Sequence, residues 1–151
     1  MQHLFIIEHI VEELGLSLNH EAFKGYFHLF IQKCALDEGK KSDLDIEINH
    51  VILRYLAKAA GKTAIDAMDK ITGNTVLLHA CDLLNDQVII KILVDAGADV
   101  NAVNNKDEMP LTFIKRKREK NPENEELEDI EWFLEKRDAV TNWRDLIKDK
   151  A

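Results

Sequence analysis

The amino-acid sequence predicts an all-α fold in which pairs of short helices stack on one another. Apolar residues recur at helical spacing in several segments, and a loop motif that follows one helix has looser copies before and after it. Only two prolines and six glycines are present, which argues against a hairpin-rich β architecture. Helices this short are not stable alone, so we expect stacking to stabilise them.

Composition limits the class of protein and of partner. A length of 151 residues fits one domain, and 46% hydrophobic with 32% charged residues indicates a core beneath a solvated surface. The net charge of −8 argues against nucleic acid as the partner. Cys34 and Cys81 are the only cysteines, so neither a disulfide framework nor a zinc-binding spacing is present. We expect both to be small buried groups in a reducing compartment.

The first residues do not have the pattern of a signal peptide. Residues 1–14 are apolar but carry Glu8, Glu12 and Glu13 and lack a cationic leader. No uninterrupted apolar run approaches membrane-spanning length. The sequence therefore predicts a soluble, cytoplasmic protein without a membrane partner.

Two helices are predicted in the first 35 residues. The first covers residues 3–14 and ends near Gly15, and the second covers residues 20–35 with Asn19 as its N-cap. The second helix carries an aromatic-rich stripe, which we interpret as core packing instead of an aromatic ligand site. That stripe consists of Phe23, Tyr26, Phe27, Phe30, Ile31 and Cys34.

A polar connector, residues 36–42, leads to the third predicted helix. Ser42 followed by Asp45 is typical of a capping box, and the helix is expected to run to about Ala60 with Gly61 as its stop. Its predicted core face consists of Ile48, Val51, Ile52, Tyr55, Leu56 and Ala59.

The second half of the chain alternates loops and short helices. After a loop at residues 62–75, two helices are predicted at Thr75–Asp82 and Gln87–Ala96, and Gly97 ends the second. Another loop covers residues 98–109.

Pro110 suits the first turn of the helix that follows this loop. A charged stretch from Lys115 to Glu126 comes next, and a last helix is predicted at about Leu127 to Lys136.

The repeated loop motif is clearest at Ala96–Ala102. A looser copy lies upstream at Ala59–Ala67, and another lies downstream at Arg137–Trp143. Self-similarity at such a period is typical of repeat proteins, in which each unit stacks on its neighbours.

With these motifs, the chain resembles the ankyrin-repeat family. The family unit is a hairpin-like loop followed by two antiparallel helices, about 33 residues long. Gly73–Cys81 is similar to the loop-to-inner-helix motif, and Val88–Ala102 is similar to the outer helix and exit loop. Met109–Thr112 begins a further unit, in which Asp107 replaces the usual glycine. About eight extra residues, rich in Lys and Glu, then separate its two helices.

The match to the family motif Thr-Pro-Leu-His is incomplete. Thr75 and Leu77 are kept, Val76 replaces the proline, and either Leu78 or a shifted His79 replaces the histidine. Thr75 can cap the inner helix, and a glycine such as Gly97 at the end of an outer helix allows a left-handed backbone.

The resemblance implies one ankyrin-repeat domain made of about three stacked repeats. Residues 1–41 would form an N-terminal helical cap and the first inner helix, and residues 42–68 a divergent repeat. Residues 69–103 would form the best-matching repeat, residues 104–143 a C-terminal repeat with an insertion, and residues 144–151 a tail.

The resemblance also implies a function: binding of another protein by a monomeric module without a cofactor or metal. Ankyrin-like modules use loop tips and the inner-helix surface, which together form a concave face. Carried onto this chain, the loop tips are Lys70, Ile71, Thr72, Asn74, Val103, Asn105, Lys106 and Glu108. The inner-helix contributors are Leu78, Asp82, Thr112, Lys115 and Arg116.

Two alternative functions stay open at this stage. One is a secreted bacterial or viral effector that imitates a host ankyrin scaffold, which would act in the host cytoplasm. The other is a small enzyme on a degenerate ankyrin-like shape.

Catalytic and metal sites have little support in the sequence. The six histidines, His3, His9, His20, His28, His50 and His79, have no carboxylate or cysteine at a recognised metal spacing. Cys81 with His79 is a conceivable nucleophile and base, but a structural role for His79 in bonding the loop is favoured.

One basic run, Lys115–Lys120, interrupts the acidic sequence. It is a nuclear-import signal, a contact for an acidic partner, or a solvated helix end balanced by nearby acids, and we favour the last interpretation. The acids are Glu123, Glu125, Glu126, Glu128 and Asp129.

Overall fold

The computed structural model describes residues 20–36, Gly39 and residues 42–148. Within these ranges the chain forms seven α-helices and no β-strand, which confirms the predicted all-α fold. In the same ranges, no helix combines the length and the apolar composition needed to cross a bilayer. The helices are α1 (His20–Leu36), α2 (Asp43–Ile65), α3 (Val76–Leu83), α4 (Gln87–Asp95), α5 (Pro110–Lys120), α6 (Glu125–Glu135) and α7 (Trp143–Lys148).

Some predictions fall outside this part of the chain. The helix predicted at residues 3–14, its stop at Gly15 and the cap Asn19 lie outside the described residues, as do the side chains of Phe23 and Tyr26. The other members of the aromatic-rich stripe belong to the core: Phe27, Ile31 and Cys34 are buried and Phe30 is partly buried.

The helices form two layers. α1, α3 and α5 lie side by side in one layer, here called the inner layer. α2, α4 and α6 lie side by side in the other, the outer layer. Each inner helix packs on the outer helix that follows it in the chain, so three helix pairs stack in sequence order. Apolar side chains from both layers fill the space between them, and the largest that are fully buried include Phe27, Ile31, Leu53, Leu77, Leu78, Ile90, Leu93 and Ile114.

Short polar side chains begin most of these helices. Ser42 and Asp45 form the predicted capping box of α2, with bonds of 3.1 Å from the Ser42 amide and 3.3 Å from the Asp45 amide. Thr75 accepts the Leu78 amide at the start of α3, and Asp86 caps α4. Pro110 occupies the first turn of α5, where its missing amide hydrogen costs nothing.

The buried face of α2 differs from the predicted one. Leu53, Ala57, Ala60 and Ala64 are buried, whereas the predicted face is half-buried or, at Ile48 and Ala59, exposed. The prediction followed the bulky side chains. The residues that are buried are mostly small, because alanines at helical spacing allow α2 to lie close to the helices packed against it.

Gly61 has the positive φ expected after a helix, at 74°, but the chain resumes helical geometry and reaches Ile65. Gly61 is therefore a kink within α2. The loop predicted from residue 62 begins about one turn later, at Asp66.

The third helix pair also differs from expectation. α5 has 11 residues against 8 in α3, and the turn after it has four residues against three, so the insertion is about four residues and not the predicted eight, and most of it extends the inner helix. The basic run Lys115–Lys120 lies within α5. The predicted C-terminal tail includes a short helix, α7, that the sequence patterns did not indicate.

The end of α4 gives a direct test of the repeat geometry. Gly97 has φ of 101°, a region that L side chains rarely adopt, and the Ala98 amide next to it donates to the Leu93 carbonyl. We expect Gly97→Val to lower the free energy of unfolding by about 1–3 kcal/mol, because a β-branched residue is strained at this φ. Urea unfolding followed by circular dichroism measures the change.

Gly25 is the matched control. It lies inside α1, is exposed, and a Cβ there would meet no described atom within 4 Å. Gly25→Ala should raise the free energy of unfolding by about 0.5–1 kcal/mol. Equal effects of the two substitutions would contradict the assigned turn after α4.

Candidate functional site

The loop before α3 is organised around the carboxylate of Asp69. Its Oδ1 accepts the amides of Ile71 at 2.7 Å and Thr72 at 2.8 Å, and its Oδ2 accepts the Thr72 hydroxyl. His79 on α3 donates Nε2–H to the same Oδ2 at 3.0 Å. Burial raises the pKa of Asp69, but these hydrogen bonds together outweigh it and hold the pKa well below its ordinary range. The charged carboxylate of Asp69 therefore holds the backbone of this loop in place through hydrogen bonds.

The loop before α5 is organised around the side chain of Asn104, which is buried. Its Oδ1 accepts the amides of Lys106 and Glu108, each at 2.9 Å. Its Nδ2 donates to Glu108 Oε2 at 3.0 Å, and Glu108 Oε1 in turn accepts Arg116 at 2.6 Å. The hydrogen bond from Asn104, and then the neighbouring Arg116, lower the pKa of Glu108.

The two loops are bonded to each other along their edges. The Asn105 amide donates to the Thr72 carbonyl at 3.0 Å, and Asn105 Nδ2 donates to the Ile71 carbonyl at 3.2 Å. Deeper in the contact, Asn104 Nδ2 donates to Asn74 Oδ1 at 2.8 Å. The loop tips therefore form one continuous edge, here called the tip edge, made of residues 68–74 and 103–108.

Close approach and backbone conformation explain two residue choices in the tip edge. Gly73 has φ of 71°, and a Cβ there would lie 2.5 Å from Asn105 Oδ1. Asp107 has φ of 60° in the second loop, in agreement with its predicted equivalence to the usual glycine. An aspartate tolerates positive φ better than most residues do.

Comparison with known proteins identifies this loop-and-helix unit. A protein-family model described as ankyrin repeat matches residues 72–105. The chain contains an ankyrin repeat. The match begins in the first loop of the tip edge, includes the α3–α4 pair and ends at Asn105 in the second loop. No curated protein and no solved structure matches the chain.

Within the stack of helix pairs, most of the predicted binding residues reach the surface. Lys70, Ile71, Thr72, Asn105 and Lys106 are exposed on the tip edge, with Val103 and Glu108 half-buried beside them. Asp82 and Arg116 are exposed on the inner helices, and Thr112 is half-buried with its hydroxyl bonded to the Thr141 carbonyl at 3.3 Å.

Two predicted binding residues are buried instead. Leu78 is 0% exposed, because its side chain packs in the core between neighbouring helices, so its assignment to the concave face is wrong. Asn74 is 5% exposed, and its side-chain oxygen accepts a hydrogen bond from Asn104. It therefore joins the two loops and is not accessible to a partner.

Lys115 is also misassigned. Its Nζ lies 3.0 Å from Glu135 Oε1 and 3.6 Å from Glu131 Oε1, so the side chain is directed toward α6 in the outer layer. The hydrogen bond to Glu135 raises the pKa of Lys115. Residue 115 lies one position before Arg116, which does face the loops, and a shift of one residue rotates the side chain by about 100° around a helix.

Lys117 and Arg118 of the basic run also make contacts within the protein. Arg118 binds Glu131 at 2.6 Å and Glu128 at 3.4 Å, and Lys117 Nζ donates to the Leu84 carbonyl at 2.7 Å. Of the acids expected to balance the run, Glu128 takes part, while Glu131 and Glu135 were not anticipated. Through these contacts the run joins α5 to α6 and to the end of α3.

Two exposed apolar residues near the predicted site were missed. Met68 precedes Asp69 in the first loop and is 57% exposed, and Leu83 follows Asp82 at the end of α3 and is 37% exposed. An apolar residue in a polar loop was the available signal for Met68, whereas Leu83 is indistinguishable in the sequence from the buried leucines of α3.

The conceivable nucleophile Cys81 lacks the surroundings that would activate it. The thiol is completely buried, and burial raises its pKa to about 12, so it stays protonated. His79 is bonded to Asp69, the loop-bonding role that the sequence favoured. Among the described residues, no group of three or more His, Cys, Asp and Glu side chains is arranged to hold a metal ion.

Asn104 is the residue whose side chain we expect to contribute most to the stability of the tip edge. Asn104→Ala should lower the free energy of unfolding by about 1–3 kcal/mol, because it leaves buried partners in both loops without a hydrogen bond. Its neighbour Lys106 is exposed, and Lys106→Ala should change stability by less than about 0.5 kcal/mol. Urea unfolding compares the two, and an Asn104→Ala protein as stable as wild type would show that the loops do not rely on this side chain.

Proposed function

We propose that this chain is a protein–protein interaction module that binds its partner through the tip edge and the adjoining exposed ends of the inner helices. Ankyrin repeats are typically non-catalytic interaction modules, which supports the general assignment. The observation that carries the choice of surface is Ile71. Its side chain is 89% exposed, although its amide and carbonyl are both hydrogen-bonded within the protein.

This combination of a fixed backbone and a free side chain suits an anchor for binding. An exposed isoleucine exposes apolar area that a partner can remove from water. Because the backbone on both sides is already bonded to Asp69 and Asn105, little conformational freedom is lost when a partner covers the side chain.

The residues around Ile71 extend the surface. Met68 adds a second exposed apolar side chain, and Lys70 and Lys106 place exposed cations on the two neighbouring tips. Arg116 is exposed and bonded to Glu108, so it continues the surface onto α5. Asp82 and Leu83 are exposed at the far end of α3. An apolar centre with charged groups at its border is the usual composition of a protein interface, in which a few residues carry most of the energy.

The experiment that tests this surface is affinity capture from a lysate with mass spectrometry, followed by binding measurements with the purified partner. We expect the triple variant Lys70→Ala, Ile71→Ala, Lys106→Ala to lower affinity at least tenfold with an unchanged unfolding midpoint. All three side chains are exposed, so stability should change by less than about 0.5 kcal/mol at each.

A matched control removes the same kinds of side chain from the outer layer. Lys58 on α2, Trp132 on α6 and Lys136 just after α6 are exposed, and Trp132 is the exposed apolar member, as Ile71 is on the tip edge. The corresponding triple alanine variant should bind as wild type does. Loss of binding in the outer-layer variant and not in the tip-edge variant would place the partner on the opposite surface.

A further inference from the structure

Two histidines meet where the first helix pair packs against the ankyrin repeat. His28 on α1 and His79 on α3 are in edge-to-face contact, with ring centroids 4.8 Å apart and an interplanar angle of 82°. Nδ1 of His28 is buried and has no hydrogen-bond partner among the described residues. α1 packs on α3 along this contact, so the ring pair lies in the interface between two successive inner helices.

The environment of the two rings is unequal. His79 has a carboxylate partner, since its Nε2 lies 3.0 Å from Asp69 Oδ2. His28 has none: the groups that act on it electrostatically are His79 from α3 and, less strongly, Asp69 from the loop, together with a hydrogen bond to the backbone of Ala67. α2, the other helix packed against α1, contributes no charged group to this set.

We propose that the His28–His79 contact is an acid-sensitive latch that joins the first helix pair to the ankyrin repeat. When both rings are neutral, the edge of one packs against the face of the other and α1 stays seated on α3. When His28 is protonated, a cation without a carboxylate partner is held against the second ring in a half-buried interface, and the contact opens.

The latch acts on one side of α3 only. His79 keeps its contact with the Asp69 carboxylate, which remains charged because its pKa is held so low. The loop that Asp69 organises is therefore kept while α1 separates. Acid loosens the first helix pair and leaves the tip edge formed, so the proposal is independent of the proposed binding surface.

The direction of the pH dependence follows from His28. Burial, and then the neighbouring His79, lower its pKa from the ordinary value of 6.5. The unfolded chain therefore binds this proton more readily than the folded one. The stability associated with neutral His28 is complete above pH 6.5 and is lost as the pH falls below 6.5 toward the lower pKa of the folded state.

Nuclear magnetic resonance of the histidine ring protons tests the latch on the unmodified chain. His28 should titrate below 6.5, and the amide signals of α1 and α3 at this contact should shift in the same pH range. The hydrogen bonds of the Ile71 and Thr72 amides to Asp69 should be kept over the same pH range, so both amides should remain slow to exchange with solvent. A titration of His28 at or above 6.5, or amide shifts in the loop without shifts in α1, would overturn the proposal.

Two substitutions separate the latch from general acid sensitivity. Between about pH 7.5 and about pH 5.5, the urea midpoint of the wild type should fall further than that of His28→Phe, whose ring fills the space but carries no proton. His50→Phe is the control, because His50 bonds Asp86 at 2.7 Å in the outer layer and takes no part in the ring pair. An equal fall in wild type and His28→Phe would contradict the latch.

If His28→Phe does not fold, His79→Gln gives the same test. A glutamine amide can donate to Asp69 as His79 does, but it removes the second ring and its charge. The pKa of His28 should then rise relative to wild type. An unchanged value would show that the two rings are not coupled.

Discussion

The hydrogen bonds between successive loops are the interaction on which this structure depends. A loop of one unit has backbone groups that its own residues cannot satisfy, and the next unit along the chain supplies the partners. Asn105 does this for the carbonyls of Ile71 and Thr72. At the base of these loops, just after the outer helices end, Asp66 accepts the Asp99 amide at 2.8 Å and Asn101 accepts the Val140 amide at 2.9 Å. Neighbouring units therefore hold each other's loop geometry, the later unit at the tips and the earlier unit at the base of the loops.

This bonding explains why short helices suffice. α3 and α4 have 8 and 9 residues, lengths at which a helix in water does not form by itself. Their apolar residues are almost all buried between neighbouring helices. Stacking in two layers supplies the burial, and the bonded loops set the spacing at which the layers meet.

Local signals in the sequence predicted the features that arise locally. Thr75, Gly97 and Pro110 each take the cap, turn or first-turn position that their chemistry favours, because those preferences act over only a few residues. The helices of the ankyrin repeat were placed to within about one residue for the same reason. Asp107 at positive φ followed from its alignment with a family glycine.

Features that depend on a distant partner could not be predicted in this way. The buried face of α2 is chosen by close packing of Ala57 and Ala60 against other helices, not by the bulk of its own side chains. Lys115 is directed toward Glu131 and Glu135, which are far away in the sequence. Leu78 was assigned to the surface because the sequence alone does not give the positions of the neighbouring helices that bury it. Within the candidate site, exposure of Ile71 was predictable, whereas the bridging roles of Asn74 and Asn104 required the loops to be seen together.

Backbone hydrogen exchange at the tip edge tests the central claim most directly. The Asn105 amide belongs to an exposed residue but donates to the Thr72 carbonyl of the preceding loop at 3.0 Å. The exposed Lys70 amide has no acceptor within the described part of the chain and serves as the internal reference. Preformed, mutually bonded loops predict that Asn105 exchanges far more slowly than Lys70 in the free protein. Exchange of both amides at the rate of an unstructured chain would contradict the account, since the tip edge would then not exist before a partner binds.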